Sequence, residues 1–169
     1  TRLSGKLGYR LGADTDATLS YTHVLDHLKQ AGSLPLSLLH VDPKANFTPG
    51  DFTDSALNLV ALNVRQKLPA GFSLAVNGFY RNNDQEGFVK GQFSESLLQT
   101  QLDSGGTIAQ LTHEGAILAR KNLATLGFEY TRNQFDIANC GFFGANQPLT
   151  SCNSSTFDFL SKQFTKENV

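Results

Sequence analysis

Residues 3–24 read LSGKLGYRLGADTDATLSYTHV, and their order decides the class of fold. Leu3, Gly5, Leu7, Tyr9 and Leu11 alternate with Arg2, Ser4, Lys6, Gly8 and Arg10. Successive side chains of an extended chain point to opposite faces, so this is a ribbon with one oily and one charged side. Gly12-Ala13-Asp14-Thr15-Asp16 supplies turn chemistry. The chain then returns with Ala17, Leu19 and Tyr21 on one face and Thr18, Ser20 and Thr22 on the other. This second strand extends towards Lys29.

The same hairpin recurs twice. A third strand over about 55–67 carries Val60, Leu62 and Val64 on one face, and the tight turn Leu68-Pro69-Ala70-Gly71 follows it. The fourth sets Phe72, Leu74, Val76, Gly78 and Tyr80 against Ser73, Ala75, Asn77 and Arg81, with Phe79 breaking the polar face. A fifth strand over about 107–120 places Ala109, Leu111, Gly115 and Ile117 opposite Gln110, Thr112 and Glu114, with His113 as an exception on the apolar side. After a short turn near Lys121-Asn122, a sixth has Ala124, Leu126, Phe128 and Tyr130 on one face and Thr125, Gly127, Glu129 and Thr131 on the other. Residues 30–54, 82–106 and the chain beyond Ile137 lose the period and read as long irregular connections, with a partial seventh strand within 155–165. Short and long connections thus alternate strictly. No residue-level repeat supports a propeller or solenoid.

The chain has 169 residues, enough for one domain or a slice of a larger one. Lys plus Arg is 14 and Asp plus Glu is 15, so nothing suggests the basic face that nucleic acid requires. No apolar run approaches the length of a transmembrane helix, but alternating strands escape that criterion. Strands of about 10–13 residues exceed the usual globular length. At about 3.3 Å per residue and 45° tilt, ~11 residues rise ~25 Å, the height of the apolar band of an outer-membrane barrel. On this reading Arg2, Lys6, Arg10, Asn77, Arg81, Gln110, Glu114 and Glu129 face a wet lumen, and Leu-rich faces meet lipid. Tyr9, Tyr21, Tyr80 and Tyr130 stand where an aromatic girdle belongs. The expected fold is all-β, an antiparallel meander of long strands forming part of a transmembrane outer-membrane barrel.

Three stretches, LSGKLGYRLGADTDATLSYTHV, ALNLVALNVRQKLPAGFSLAVNGFYRNN and LTHEGAILARKNLATLGFEYTRNQFDI, resemble the β-barrel region of a TonB-dependent outer-membrane receptor. The resemblance covers most of residues 1–137 and is one of pattern, without an invariant motif. It implies uptake of a scarce ligand, such as an iron–siderophore complex, across the outer membrane of a Gram-negative-type cell. The implied partners are outer-membrane lipid, the remainder of the barrel and a plug domain, TonB acting through that plug, and the ligand. No catalytic residue or cofactor is expected. The chain starts at Thr1 without a leader, carries no plug or TonB box, and ends without the terminal aromatic of a last barrel strand. About six strands are too few to close a barrel of that family, so residues 1–169 are expected to be an internal segment of the wall. Two other readings remain at this point: a small passive outer-membrane barrel of porin type, and a soluble all-β binding module.

Cys140 and Cys152 enclose a Gly/Asn/Ser-rich loop, and an oxidising exterior permits a disulfide between them. Phe47, Phe52, Phe88, Phe93, Phe142 and Phe143 lie in or beside the long connections, either as a ligand-capture surface or as packing between loops. Arg81, Lys90 and Arg132 near the same rim either attract an anionic chelate or are solvated charges. The ligand-binding candidates are therefore Arg81, Phe88, Lys90, Phe93, Arg132, Phe142 and Phe143. His23 and His27 share a strand face ~13 Å apart, too far for one ion. His113-Glu114 lacks the second histidine of a zinc-protease motif, because position 117 is Ile. Asn82-Asn83-Asp84-Gln85-Glu86-Gly87 opens like a calcium loop, but its twelfth position is Phe93 where a bidentate Glu is needed. No metal site is expected, and no GxSxG, Walker A or GxGxxG motif is present.

Overall fold

The computed structural model describes residues 1–30, 32, 34–91, 94–117, 120–143, 152 and 159–168. They form one antiparallel sheet in simple meander order: β1 (Arg2–Leu11), β2 (Thr15–Lys29), β3 (Phe52–Lys67), β4 (Phe72–Lys90), β5 (Ser94–Ile117), β6 (Arg120–Phe143) and β7 (Phe159–Asn168). A single turn of helix, α1 (Leu36–Leu39), interrupts the connection between β2 and β3. Among the described residues the sheet is open, with β1 at one edge and β7 at the other.

Register is the stringent test of the alternation, because a slip of one residue moves every side chain to the other face. Pairing aligns Tyr9, Ala17, Val64, Val76, Ala109 and Phe128 in one row across six strands. The row beneath aligns Leu11, Thr15, Gln66, Leu74, Leu111 and Leu126 on the same face. Between them on the opposite face run Arg10, Asp16, Arg65, Ala75, Gln110 and Gly127. The sheet therefore gathers a mainly apolar band on one face, interrupted at Thr15 and Gln66, and charge on the other.

The tight turn before β4 shows why its glycine is required. Gly71 has φ +77°, and a Cβ there would stand 2.3 Å from the carbonyl oxygen of Glu114. Gly106 plays a packing part instead. Its missing side chain makes room for Phe79, the residue that broke the polar face, whose Cε1 lies 2.8 Å from where a Cβ would be.

Three expectations need correction. Residues 82–90 and 94–106 are strand, not an irregular connection: β4 runs to Lys90 and β5 begins at Ser94. The connection there is three residues, with Gly91 N–H donating to Ser94 O at 2.7 Å, so the strict alternation of short and long fails. β6 likewise continues to Phe143, past the loop expected from Ile137, and Lys121 and Asn122, expected in a turn, lie in strand, because β6 starts at Arg120. The first two share a physical reason. Hydrophobic alternation marks a strand only where one face is dry. From Arg81 to Glu86 both faces of β4 are polar, and in the facing part of β5 Leu97, Leu98 and Leu102 fall on both faces, so neither strand leaves such a trace. They are held there by cross-strand pairs: Gln99 Nε2 donates to Glu86 Oε2 at 2.7 Å, Ser96 Oγ to Asn139 Oδ1 at 2.9 Å, and Ser104 Oγ to Asn133 Oδ1 at 2.5 Å. Each such pair contributes about 0.2–1 kcal/mol.

No central core exists among the described residues. The buried apolar side chains are Leu97, Cys140 and Cys152, clustered at one end of the sheet with Phe88 and Ala138 beside them. Leu3, Leu7, Phe128 and Leu126 are 62%, 70%, 64% and 72% exposed. Soluble monomers seldom expose a contiguous apolar patch beyond a few hundred Å².

Candidate functional site

The apolar band ends abruptly. Tyr21, Val60 and Tyr80 share one row, and Tyr130 lies one step below it. The next row on the same face is Leu3, His23, Asn58, Asn82, Asp103 and Gln134, polar on every strand but β1. The tyrosine hydroxyls reach into it: Tyr21 donates to Asn58 Oδ1 at 3.0 Å, and Tyr80 donates to Asp103 Oδ1 at 2.8 Å. His23 Nδ1 meets the same Asn58 oxygen at 2.8 Å, and Asn82 Nδ2 donates to Asp103 at 3.1 Å. A ring in the oily band with its hydroxyl in a polar row suits a boundary between hydrocarbon and water.

Further out the sheet ends in a stapled rim. Asp51 is 2% exposed; its carboxylate accepts from the Lys90 backbone N–H at 2.8 Å and from the Thr48 hydroxyl at 2.7 Å. Thr48 Oγ1 in turn accepts from Gly32 N–H at 2.8 Å. Both ends of the β2–β3 connection are thereby tied to the end of β4. Lys90 Nζ pairs with the buried Glu95 carboxylate at 2.8 Å across the turn. Cys152 is disulfide-bonded to Cys140, with Cα atoms 5.6 Å apart, and lies against Leu97. Its backbone N–H donates to Gln99 Oε1 at 3.3 Å. Phe88 stacks on Phe52 with ring centroids 6.0 Å apart, so these two aromatics pack the rim.

A trough of about 1310 Å³ crosses the sheet between band and rim. It follows the row Asp26, Ser55, Gln85, Thr100, Ile137 and Gln163. Sequence reading missed it, since no motif marks a stretch whose two faces are both wet.

The sequence candidates do not converge on this trough. Arg81 lies on the face opposite the tyrosines, between Leu59 and Ser104, and its Nε is buried without a hydrogen-bond partner. Phe88 and Lys90 sit together at the rim on the tyrosine face, already engaged as described. Arg132 is exposed on the tyrosine face, level with Gly105. Phe142 and Phe143 end β6 opposite Glu95 and Ser94. Phe93 lies outside the described residues. His23 and His27 take separate partners, Asn58 and Asp54, and His113 packs on Phe72 with centroids 4.4 Å apart. Among the described residues no group of three His, Cys, Asp or Glu side chains is arranged to hold a metal ion.

No family model and no curated protein matches the sequence. The fold is similar to that of the ferric citrate transporter FecA, solved in its unliganded form. The TM-score is 0.84 over 98% of this chain, at 15% identity. The chain spans a quarter of that protein's length, covering 25% of it. At this identity the likeness establishes the fold: an all-β antiparallel meander of the kind that builds a barrel wall.

Proposed function

We propose that residues 1–169 are a section of the wall of an outer-membrane barrel, in a TonB-dependent receptor that takes up a scarce ligand such as a ferric siderophore. The observation that carries the membrane reading is the apolar band, running across six strands and terminated by tyrosines whose hydroxyls bind a polar row. A soluble binding module would have to bury those leucines, and the described residues offer no core that does. The likeness to a ferric citrate transporter favours iron-chelate uptake over a passive pore.

In this reading the band faces lipid, the Arg10 and Gln110 side faces the lumen, and the stapled rim lies outside the cell. The trough supplies hydrogen-bonding groups for a polar ligand from Asp26, Ser55, Gln85, Thr100 and Gln163. Arg81 is the best placed of the sequence candidates, on the lumen face with a free donor. Phe88 and Lys90 shape the rim. The plug, TonB and the remaining strands belong to the rest of the receptor.

Uptake of a radiolabelled ferric chelate by cells carrying the intact polypeptide tests this function. Energised uptake stops when the proton gradient is collapsed. Uptake that continues unchanged would indicate a passive barrel instead.

A further inference from the structure

Charge on the tyrosine face beyond the band is distributed unevenly. Over β3 to β5 it is acidic: Asp54 is engaged with His27, Glu86 with Gln99, and Asp103 with Tyr80 and Asn82, while Asp84 lies between them on β4. Over β6 and β7 it is basic. Arg132 follows Tyr130 by two residues on the same face. Gln134 pairs with Lys166 and Ala138 with Lys162, so both lysines share that face. The carboxylate among them is Asp136, level with Phe164. Among the described residues Arg132, Lys162 and Lys166 make no ion pair, and all three are exposed. The Lys166 ammonium stands 5.1 Å above the Phe164 ring, which holds it close to the sheet surface.

We propose that Arg132, Lys166 and Lys162 form a docking strip for the phosphate groups of anionic lipids. The proposal rests on the membrane-wall reading above, and charge complementarity carries it. The strip starts at the level where the oily band ends, which is where headgroup phosphates lie. Arg offers a planar fork of donors to a phosphate and Lys a point charge. Near an anionic surface each such cation is worth about a fivefold preference. The acidic stretch over β3 to β5 would repel the same headgroups, so lipid would be ordered on one side of this wall section.

The test uses the intact polypeptide folded into phosphatidylcholine vesicles doped with spin-labelled phosphatidic acid or spin-labelled phosphatidylcholine. The immobilised fraction of each label gives the selectivity. The expected result is a preference for phosphatidic acid that falls with added salt. R132Q/K162Q/K166Q lowers that preference by at least about fivefold, whereas R132K/K162R/K166R keeps it. An unchanged preference in the glutamine variant, or none in the original protein, overturns the docking strip. If phosphatidylcholine itself shows no immobilised fraction, the membrane wall is refuted and the strip with it. Immobilised phosphatidylcholine without selectivity refutes the strip alone.

Discussion

Replacing Leu126 with Arg separates a wall that meets lipid from a sheet that meets water. Leu126 is 72% exposed in the isolated sheet, so in water the change should cost no more than about 0.5 kcal/mol. In a membrane the position decides otherwise. Leu126 is four residues from Tyr130 along β6. At about 3.3 Å per residue and 45° tilt, that puts it ~9 Å below the tyrosine level, well inside the hydrocarbon. Arg near the midplane of a barrel's lipid face costs about 2–4 kcal/mol. Thr125→Arg, one residue away, points to the opposite face and should cost about 0.5 kcal/mol or less. Reversible urea unfolding of the intact polypeptide from vesicles measures both. A difference of at least about 1.5 kcal/mol between the two variants is expected, with Leu126→Arg the weaker. Equal costs would refute the assignment of faces.

Other consequences are local. Gly106→Ala brings a Cβ to 2.9 Å from the Tyr130 carbonyl oxygen, which belongs to a paired strand and cannot retreat, so unfolding should become easier by about 1–3 kcal/mol. Asp51→Ala strands the Lys90 N–H and the Thr48 hydroxyl, at a cost of about 1–3 kcal/mol, and the Gly32 and Lys90 amides should exchange with deuterium far faster. Unchanged exchange would show that the β2–β3 connection is held elsewhere. Cys140→Ser with Cys152→Ser removes a crosslink between residues 12 apart and should lower stability by roughly 3 kcal/mol, read as a lower urea midpoint that reductant no longer shifts.

The parts of this fold legible in sequence are those where a strand divides oil from water. Leu3 to Leu11 and Phe72 to Tyr80 state their faces residue by residue, and pairing aligned those faces as the alternation required. The outer halves of β4, β5 and β6 were illegible for the same reason. Asn82-Asn83-Asp84 carries turn-forming residues, yet those residues lie in strand because neighbouring strands supply every backbone partner. Tertiary pairing overrides local preference there. The candidate site suffered likewise. Phe88, Lys90 and Phe142 belong to stretches whose sequence reads as loop, yet they lie in paired strands. Asp51, which holds the rim, gave no signal beyond being one more acid near Pro49 and Gly50. The trough is a product of register across six strands, which no single stretch of sequence encodes.

Everything proposed depends on hydrocarbon covering the leucine face. Nitroxide labels at Leu74 and Leu126, and in separate samples at Asn77 and Glu129, examine this in the intact polypeptide in vesicles by relaxation with oxygen and with a water-soluble nickel chelate. Labels at Leu74 and Leu126 should be relaxed by oxygen and shielded from nickel, and those at Asn77 and Glu129 the reverse. Nickel access at Leu74 and Leu126 equal to that at Asn77 and Glu129 would contradict the account.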